Sequence, residues 1–539
     1  MNALCYKIVF SKRLGTLVAV GEHTTGQGKT ARGTCTRANS SVDLSTTLKT
    51  SALAIALAFS AHNIYAAGPS TTALPTGSNV NNGNVAISTQ GAAMTIQQTS
   101  NKASVNWNSF NIGSAASVNI NQPNTNAVLL NRVTGNDPSQ IFGKLSANGQ
   151  VVLINPNGVV FGQGGSATAS AFTASTFGLS DDDFAKGKYN YTRNGSTAGV
   201  TLQNGSSINA TAPGGYVALI GASVNNEGTI STKQGSVVMA AGESATLPSA
   251  LTDNVSVPLS GKVRLELAPS TLNASVNNSG AITTEGGQVL MQAAAISDAV
   301  ASISHTGSIN TTGTQGGAVT LRADGGIIQV NGSIKANSTD ANRVGGDIII
   351  GRNEATGVLA KATDVSGATL ESQGGFVETS GEYLITRNIS VKAAEWLLDP
   401  TDITIVATGT AVTDVPSATS AGTTTFQFTG TGRIDTSEVV KADIESAINN
   451  GTNVTIDSRH GTSFGAGNIT IATALSFNNT GASNATLRLS AVNGIIQNSG
   501  ASITGTGTKL VNIVMDTQGR YSGQDVDNVN SKGIVLNST

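Results

Sequence analysis

Charged side chains are sparse in this sequence, and the densest group of them is a run of three carboxylates, Asp181, Asp182 and Asp183. Converging carboxylates could bind a hard cation such as Ca²⁺, or serve as the acid and base that cleave a polysaccharide. In a polysaccharide-cleaving β-helix, the carboxylates of the active-site groove come from neighbouring coils of the helix. These three aspartates are instead consecutive in sequence and stand next to Phe184. We therefore predict a solvated surface loop here, with no metal site and no catalytic site.

Histidine gives no better candidate for chemistry. Two of the four histidines, His23 and His62, fall in the first 66 residues, and the other two, His305 and His460, are too far apart in sequence to suggest a pair. The sequence contains no phosphate-binding loop and no zinc-ligand spacing. We expect a protein that is not an enzyme and that uses no cofactor.

The composition indicates the kind of fold that must hold these residues. Only 12% of the 539 residues are charged and 4% are aromatic, whereas 63 are glycine; an average soluble domain has about 25% charged residues. Valine, isoleucine and leucine are scattered singly among small polar residues, so the chain cannot build one thick core. It has too many β-branched residues to be disordered, and we predict many thin, stacked β layers.

The first 66 residues have the features of a secretory leader. Basic residues precede an apolar run at 52–59, which is too short to cross a membrane as a helix, and small residues follow at 65–68. We predict signal-peptide cleavage after Ala66 or Ala67. A second basic and hydrophobic segment precedes the apolar run, so the leader is about twice the ordinary length or more.

Removal of the leader changes the chemistry of the chain. The leader contains both cysteines, Cys5 and Cys35. It also contains seven of the 30 basic and two of the 32 acidic residues, so the rest of the chain has 23 basic and 30 acidic residues. This balance leaves no basic patch for nucleic acid. A chain without thiols cannot be locked by disulfides in an oxidising periplasm, which suits a protein that crosses a second membrane unfolded.

Short strands and glycine or asparagine turns recur every 20 to 27 residues or so between about 200 and 350. This pattern is typical of a parallel β-helix, in which each coil turns a few apolar residues inward and pairs with the next coil about 4.8 Å away. Two copies lie 52 residues apart, which we interpret as two coils and an insertion, and a third follows 27 residues later. The matched apolar positions are Val224, Ile230 and Val237, then Val276, Ile282 and Val289, then Ile303 and Ile309.

One helix is predicted to interrupt the later repeats, near residues 437–449. The residues that indicate it are Ser437 as its cap, Val440, Ile444 and Ile448 on one face, and Gly451 at its end. Strand patterns resume afterwards, and the sequence stops at Thr539 within one of them. We expect either a short protein or the front part of a longer one.

The segment Asn155-Pro156-Asn157-Gly158 predicts a tight turn between two coils. Proline fixes one backbone angle, Asn157 and Gly158 tolerate left-handed backbone, and the Asn155 side chain can cap the turn. Its role is either structural or a direct contact with a partner protein. The two roles are compatible, since a stable early coil could also template the folding of later ones.

The turn belongs to the last of four motifs that follow one another along the chain. These motifs are VNWNSFNIG at 105–113, NQPN at 121–124, NRVTGNDPSQIFG at 131–143 and LINPNGVVFG at 153–162. Together they resemble the haemagglutination-activity domain, or two-partner secretion domain, of large exoproteins such as filamentous haemagglutinin. The resemblance is strongest to the branch that contains the high-molecular-weight adhesins of Gram-negative pathogens. Segments 374–380 and 394–405 also resemble that branch, and residues 1–66 are similar to its extended signal peptide.

The resemblance implies an all-β fold, a right-handed parallel β-helix with an N-terminal two-partner secretion domain. It also implies passage through the general secretory translocon and export through an outer-membrane β-barrel transporter with periplasmic transport-associated domains. In this family the transporter recognises the secretion domain, and the residues to which the resemblance gives that role are Asn131, Arg132, Val133, Asn155, Pro156, Asn157 and Gly158. The turn at 122–124 is a weaker candidate, because other branches have Asn-Pro-Asn-Leu where this sequence has Gln-Pro-Asn-Thr.

These predictions divide the chain into four parts: an extended signal peptide at 1–66, the secretion domain at 67–200, β-helix repeats at 201–395, and a further β-rich repeat region at 396–539. We expect a secreted or surface-exposed exoprotein of a Gram-negative bacterium, and the family association favours an adhesin for host cells, matrix or biofilm. Capture of haem or haemopexin is the alternative. The stem of a contact-dependent inhibition toxin is a weaker one, and the sequence does not name a receptor.

Overall fold

The structure of this protein is a computed structural model, which describes residues 6–11, 16–21, 68–296, 299–409, 437–458, 467–517 and 533–536. Residues 1–66 and 67–539 form two separate compact units. In the first unit, strand β1 (Tyr6–Ser11) pairs antiparallel with β2 (Thr16–Gly21). The predicted cleavage positions Ala66 and Ala67, and also His460, lie outside the described residues.

The second unit is built from short strands. In chain order, the first are β3 (Asn79–Asn82), β4 (Val85–Gln90), β5 (Ala93–Gln98), β6 (Lys102–Trp107), β7 (Ser117–Asn121), β8 (Val128–Val133), β9 (Ser139–Ile141), β10 (Lys144–Ala147), β11 (Gln150–Ile154), β12 (Val159–Phe161), β13 (Ser166–Ala169), β14 (Ala171–Ser175) and β15 (Gly178–Leu179). Helix α1 (Asp181–Ala185) follows, then β16 (Tyr189–Thr192), β17 (Gly199–Leu202), β18 (Ser207–Ala210), β19 (Tyr216–Gly221), β20 (Ser223–Asn226), β21 (Thr229–Thr232), β22 (Ser236–Ala241) and β23 (Ser244–Leu247).

Helix α2 (Ser249–Thr252) is followed by β24 (Glu266–Ala268), β25 (Ala274–Asn278), β26 (Ala281–Thr283), β27 (Gln288–Ala293), β28 (Ala301–His305), β29 (Ser308–Asn310), β30 (Ala318–Ala323), β31 (Ile327–Val330), β32 (Ser333–Lys335), β33 (Asp347–Ile350), β34 (Ala362–Asp364), β35 (Thr369–Ser380), β36 (Tyr383–Thr386), β37 (Ser390–Asp399) and β38 (Ile403–Val406). The last elements are β39 (Ser437–Val440), helix α3 (Lys441–Asn449), β40 (Asn453–Asp457), β41 (Asn468–Ile471), β42 (Leu475–Asn479), β43 (Ala485–Ala491), β44 (Gly494–Gln497), β45 (Ile503–Gly507), β46 (Val511–Thr517) and β47 (Gly533–Leu536).

These strands stack along three faces of a parallel β-helix. The first face runs from β5 through β7, β10, β13, β18, β21, β26, β29 and β32 to the first halves of β35 and β37. The second face runs from β6 through β8, β11, β14, β19, β22, β27, β30 and β33 to the second halves of β35 and β37, then to β40, β43 and β46. The third face is the sheet that runs from β9 to β47. Apolar residues of all three faces point inward into one continuous core.

The first coil is closed by a cap whose strands run the other way. Strand β3 pairs antiparallel with β6, and β4 pairs antiparallel with β5, before the parallel stacking begins. A parallel β-helix would otherwise present a row of unpaired backbone groups at its end, which invites pairing with another chain. No helix in the described part of the chain is long and apolar enough to cross a membrane.

The repeat copies 52 residues apart are direct neighbours, so the interpretation of this interval as two coils and an insertion was wrong. Val224 pairs with Val276 and Ile230 with Ile282, and each pair belongs to adjacent strands. The extra length is an excursion: after β22 the chain leaves the coil, builds β23, α2 and β24 outside the helix, and returns at β25. The third copy stacks directly on the second, with Ile303 on Val276.

Helix α3 takes the place of a strand in the stack. Ile444, Ala447 and Ile448 are buried in the core, and the helix presents Glu445 Oε1 and Asn449 Oδ1 to the backbone N–H groups of β42, at 2.7 and 2.6 Å. The helix begins four residues later than predicted. Ser437 lies in strand β39 and not at a helix cap, because Ser437–Val440 pairs with β38.

Glycines at two corners let each coil approach the one before it. A Cβ added to Gly287 would lie 1.8 Å from the carbonyl oxygen of Gly235, and one added to Gly317 would lie 2.0 Å from that of Gly287. At another corner, a Cβ on Gly307 would lie 2.1 Å from the oxygen of Gly280. These contacts are with backbone, which cannot move aside, so the coil spacing itself requires glycine.

We predict that Gly287→Ala destabilises the folded chain by roughly 1–3 kcal/mol, the usual cost of overpacking. Gly505→Ala is the matched control, since no atom lies within 4 Å of the position of its Cβ. Urea unfolding followed by circular dichroism measures both. Equal midpoints for the two variants would contradict the close stacking at this corner.

A buried column of polar side chains lines another corner. Asn226 Nδ2 donates to Asn278 Oδ1 at 2.7 Å, and Asn278 Nδ2 lies 3.0 Å from Nδ1 of His305. The other ring nitrogen of His305 lies 3.2 Å from the carbonyl oxygen of Ser333, which can only accept. The ring is therefore neutral, with its proton on Nε2, and burial lowers the pKa of His305 below its ordinary value of 6.5.

This column predicts a loss of stability in mild acid. A histidine whose pKa is lowered by folding contributes stability above the unfolded pKa of 6.5, and that contribution disappears as the pH falls below it. We expect His305→Asn, which continues the asparagine column, to flatten the dependence of the thermal midpoint on pH across the unfolded pKa of ~6.5. Identical pH profiles for the variant and the natural chain would refute this role.

Candidate functional site: the secretion-domain turns and the outer lobe

The turn at Asn155–Gly158 joins β11 on the second face to β12 on the third. Asn155 is fully buried. Its Oδ1 accepts from the N–H of Asn157 at 2.9 Å, while its Nδ2 donates to the Asp137 carbonyl and to Ser139 Oγ, both at 3.0 Å. Gly158 has a φ of 124°, which side chains rarely adopt. Asn155 and Gly158 therefore shape the turn and bind it to the preceding coil.

The exposed part of the motif is small. Pro156 and Asn157 face solvent, and Asn157 Nδ2 donates to the Gly135 carbonyl at 2.8 Å. On the other side, Ser196 Oγ donates to the Pro156 carbonyl at 2.6 Å. The two side chains that a transporter could touch are thus held in place by the coil before and the coil after.

Asn131 and Val133, also assigned to transporter recognition, point into the core. Asn131 is fully buried, and its Oδ1 accepts from Trp107 Nε1 at 3.1 Å. Its Nδ2 is directed at the Leu129 and Val152 carbonyls at 3.4 and 3.5 Å. An amide in an apolar core is costly unless it is hydrogen-bonded, and this one is bonded to the first large aromatic residue of the core.

Arg132 faces outward and ties down a second lobe. Its guanidinium donates to the Leu179 carbonyl at 2.7 Å, pairs with Asp181 Oδ1 at 2.9 Å and contacts Asn106 Oδ1 at 3.3 Å. Of the predicted recognition residues, therefore, only Pro156, Asn157 and part of Arg132 are accessible. The structure brings the 131–133 and 155–158 segments together on neighbouring strands, since Leu153 pairs with Asn131.

The second lobe, which we call the outer lobe, is an antiparallel sheet of β15, β16, β23 and β24 with helices α1 and α2. It packs on the outer side of the second face and has its own apolar cluster, separate from the core of the β-helix. Sequence reasoning missed this lobe. The sequence signal that could have revealed the lobe is the apolar character of outward-facing positions on the second face. Val152, Ala218 and Val238 occupy such positions and are buried.

Three tyrosines lie between the outer lobe and the β-helix. Burial raises the pKa of Tyr189 to about 12 and that of Tyr191 and Tyr216 well above the ordinary value. Tyr216 donates its hydroxyl proton to Gln150 Oε1 at 3.2 Å. These phenols stay neutral and serve packing, since a buried phenolate would be strongly disfavoured.

The three consecutive carboxylates form the first turn of helix α1, not the predicted loop. Ser180 caps the helix, its Oγ accepting from the Asp183 N–H at 3.1 Å. The side chains diverge to separate partners: Asp181 to Arg132 and Asp182 to Lys186, at 2.9 and 2.6 Å. Negative charge at a helix start is favourable. Among the described residues, no group of three or more His, Cys, Asp or Glu side chains is arranged to hold a metal ion.

The turn at Gln122–Asn124 is ordered in its own way. Gln122, which stands where other branches have asparagine, is buried. Its Nε2 donates to Gln98 Oε1 at 3.1 Å. Gln122 Oε1 accepts from the Gly149 N–H at 3.0 Å. The longer side chain reaches both neighbouring coils, which explains how the substitution keeps the turn.

Comparison with known proteins agrees with this architecture. A family model described as the TPS secretion domain matches residues 71–336, and one described as the Extended Signal Peptide of Type V secretion system matches residues 1–53. This chain is a two-partner secretion exoprotein. Such a protein crosses the inner membrane, passes the periplasm and is secreted across the outer membrane of a Gram-negative cell, and its secretion domain implies a cognate outer-membrane transporter.

The exoprotein is similar to a solved structure and to two curated proteins, all from Haemophilus influenzae. The crystal structure of the HMW1 secretion domain aligns with 82% of this chain and 100% of that one, with a TM-score of 0.50 and 21% identity, a level that shows a shared fold. Two proteins named heme/hemopexin-binding protein are 47% identical over 103 residues and 46% over 100 residues. These alignments cover 19% of this chain and 11% of each relative.

Transporter recognition by the exposed turn stays a prediction, and the two asparagines separate it from folding. We expect Asn155→Ala to lower stability by about 1–3 kcal/mol, because its buried hydrogen-bond partners are left unsatisfied, and to lower secretion with it. Asn157→Ala should keep the thermal midpoint within about a degree or two yet reduce secretion when the transporter is co-expressed. If Asn157→Ala is secreted normally, the exposed turn is not a recognition element.

Proposed function

We propose that this exoprotein is a binding protein, not an enzyme, and that it captures the haem carrier haemopexin at or near the bacterial surface. The observation that carries the proposal is the 47% identity, over 103 residues, to a protein named heme/hemopexin-binding protein. The HMW1 secretion domain, which shares the fold of this chain, is only 21% identical to it in sequence. The adhesin role favoured by the sequence, and the stem of a contact-dependent inhibition toxin, stay predictions.

The surface of the β-helix is suited to a protein ligand. Outward positions on the first face carry short polar side chains stacked coil upon coil, such as Ser231 on Asn209 and Asn310 on Thr283. Charged side chains on the same face pair with neighbouring coils, as Lys335 does with Glu371 at 3.2 Å. Such a surface is flat and hydrated, which fits the polar rim of a protein interface.

The size of one face bears on how a protein would bind. A four-residue strand is about 13 Å wide, so eleven rungs about 4.8 Å apart offer roughly 600 Å². A stable protein interface buries about 800 Å² on each partner. A haemopexin-sized ligand would therefore contact more than one face of the β-helix, or a face together with its turns.

Binding of the secreted chain to purified haemopexin, measured by biolayer interferometry, tests the proposal. We expect a Kd below about 1 µM, typical of a specific capture protein, for haem-loaded haemopexin and much weaker binding to haem-loaded albumin. Asn157→Ala serves as a control, since it leaves the β-helix intact and should bind with unchanged affinity once purified.

Two outcomes separate the alternatives. Absence of haemopexin binding, together with retention of the producing bacteria on epithelial cells, would replace this proposal by the adhesin role. Absence of both would refute each of them for this chain.

A further inference from the structure

A segment of the outer lobe, residues 253–265, runs along the outside of the second face, and we call it the strap. It begins beside the first coils. Val255 is buried, its N–H donates to Asn126 Oδ1 at 3.1 Å, and its carbonyl accepts from the Gly214 N–H at 2.9 Å. Just before it, the Thr252 carbonyl accepts from Gln150 Nε2 at 3.1 Å.

The strap reaches coils that follow much later in the stack. Gln288 Nε2 donates to the Gly261 carbonyl, and the Val263 N–H donates to Gln288 Oε1 at 2.6 Å. Beyond these, Lys262 Nζ extends to Asp347. The strands of the second face crossed on the way are β8, β11, β14, β19, β22, β27, β30 and β33. Seven steps of about 4.8 Å give a span of about 34 Å.

Lys262 makes the far attachment through two carboxylates. Its Nζ lies 2.9 Å from Asp347 Oδ2 and 2.6 Å from Glu354 Oε1. Burial alone would lower the pKa of Lys262, but hydrogen bonds to Glu354 and Asp347 raise it above its ordinary value. The ammonium group therefore stays charged at any physiological pH.

The receiving carboxylate of Glu354 sits on a pre-formed turn. Asn353 Oδ1 accepts from the Ala355 N–H at 3.1 Å, and Asn353 Nδ2 donates to Asp324 Oδ2 at 2.9 Å. Asp324 in turn accepts hydrogen bonds from Nε and Nη2 of Arg322, at 2.8 and 2.7 Å. The turn thus stays in place whether or not Lys262 is bound.

The space beneath the far end of the strap is incompletely filled. A cavity of about 140 Å³ lies between Lys262, Leu265, Gln292 and Arg352. Within the part of the chain that the structure describes, Gln292 Oε1 and Arg352 Nε line this cavity without a hydrogen-bond partner. Val255 and Leu265 are buried at the two ends of the strap, whereas residues 256–264 between them are all exposed or half-buried.

We propose that Lys262 is a latch, which fastens the strap across eight rungs and locks the outer lobe of the secretion domain onto coils that lie beyond it. Asp347 and Glu354 follow residue 336, where the match to the secretion-domain family ends. The latch joins residues 85 positions apart, from 262 to 347, so it closes only after the coils between them have formed. The secretion domain and the first coils after it then open and close as one unit.

The latch also changes how stability is distributed. In a repeat protein each coil contacts only its neighbours, so local opening can occur one coil at a time. A tie between rungs that are not neighbours removes that freedom from every coil it crosses. Because Lys262, Asp347 and Glu354 are all partly exposed, high salt should weaken the tie.

Hydrogen exchange followed by mass spectrometry, on the full mature chain, tests the latch. We expect Lys262→Gln to speed exchange in residues 256–264 about three- to ten-fold, in keeping with one partly exposed ionic tie. The double variant Asp347→Asn/Glu354→Gln should have the same effect, and the triple variant should add nothing more, because all three residues serve one contact. Lys335→Gln, which removes a pair between adjacent coils, should leave the strap unchanged.

Two results would overturn the proposal. One is unchanged exchange in residues 256–264 for both Lys262→Gln and the double variant. The other is pulse-labelled refolding in which residues 256–264 reach their full native protection before residues 347–350 are protected, since a latch cannot close on a coil that has not yet formed.

Discussion

Parallel backbone hydrogen bonding between successive coils is the interaction on which the rest of this structure depends. It sets a spacing of about 4.8 Å, and that spacing decides which residues each position accepts. Inward positions must stack like on like, as Ile208, Ile230 and Ile282 do. Corner positions must admit a carbonyl oxygen from the coil before, which is why glycine recurs at Gly235, Gly287 and Gly317. Buried corner amides can bond from coil to coil, as Asn226 and Asn278 do.

The functional features are additions to this stack at defined places. An antiparallel cap covers its first coil, the outer lobe covers the early part of its second face, and a helix replaces one strand near residue 441. The residues that identify the secretion domain in sequence serve mainly to build these joints. Asn131 satisfies Trp107 inside the core, Arg132 anchors the outer lobe, and Asn155 fixes a turn. A transporter that recognises this domain would thus meet a shape that those residues maintain, with Pro156 and Asn157 as the accessible part of the motif.

Much of the fold could be predicted from the sequence, because coil stacking leaves a periodic record. The alignment of Val224 with Val276 in sequence is the pairing found in space. The meaning of the 52-residue interval could not be read, since an excursion from one coil and an additional coil have the same length in sequence. The outer lobe escaped prediction for a related reason. Its strands resemble those of the coils, and only the apolar outward positions of the second face require something to cover them.

The candidate site was harder to predict than the fold. Turn chemistry identified the position of Asn155-Pro156-Asn157-Gly158, but a sequence motif does not distinguish a buried amide from an exposed one. Asn155 and Asn157 are two residues apart and have opposite exposure. The same limit applies to the three aspartates, whose helix depends on the Ser180 cap, and to Lys262, whose partners Asp347 and Glu354 are distant in sequence. Contacts of that range follow from the path of the chain and leave no local pattern.

Disulfide trapping tests the stacking register most directly, because both natural cysteines lie in the leader. Ser231 and Thr283 are register partners on adjacent coils of the first face, 52 residues apart, and both are partly exposed. Cα atoms of neighbouring strands are about 5 Å apart, within the range that a disulfide spans. We predict that the mature chain with Ser231→Cys and Thr283→Cys forms this bond nearly completely under mild oxidation, without a loss of thermal stability. Failure of the folded chain to form it, or formation only after unfolding, would contradict the parallel β-helix and its register.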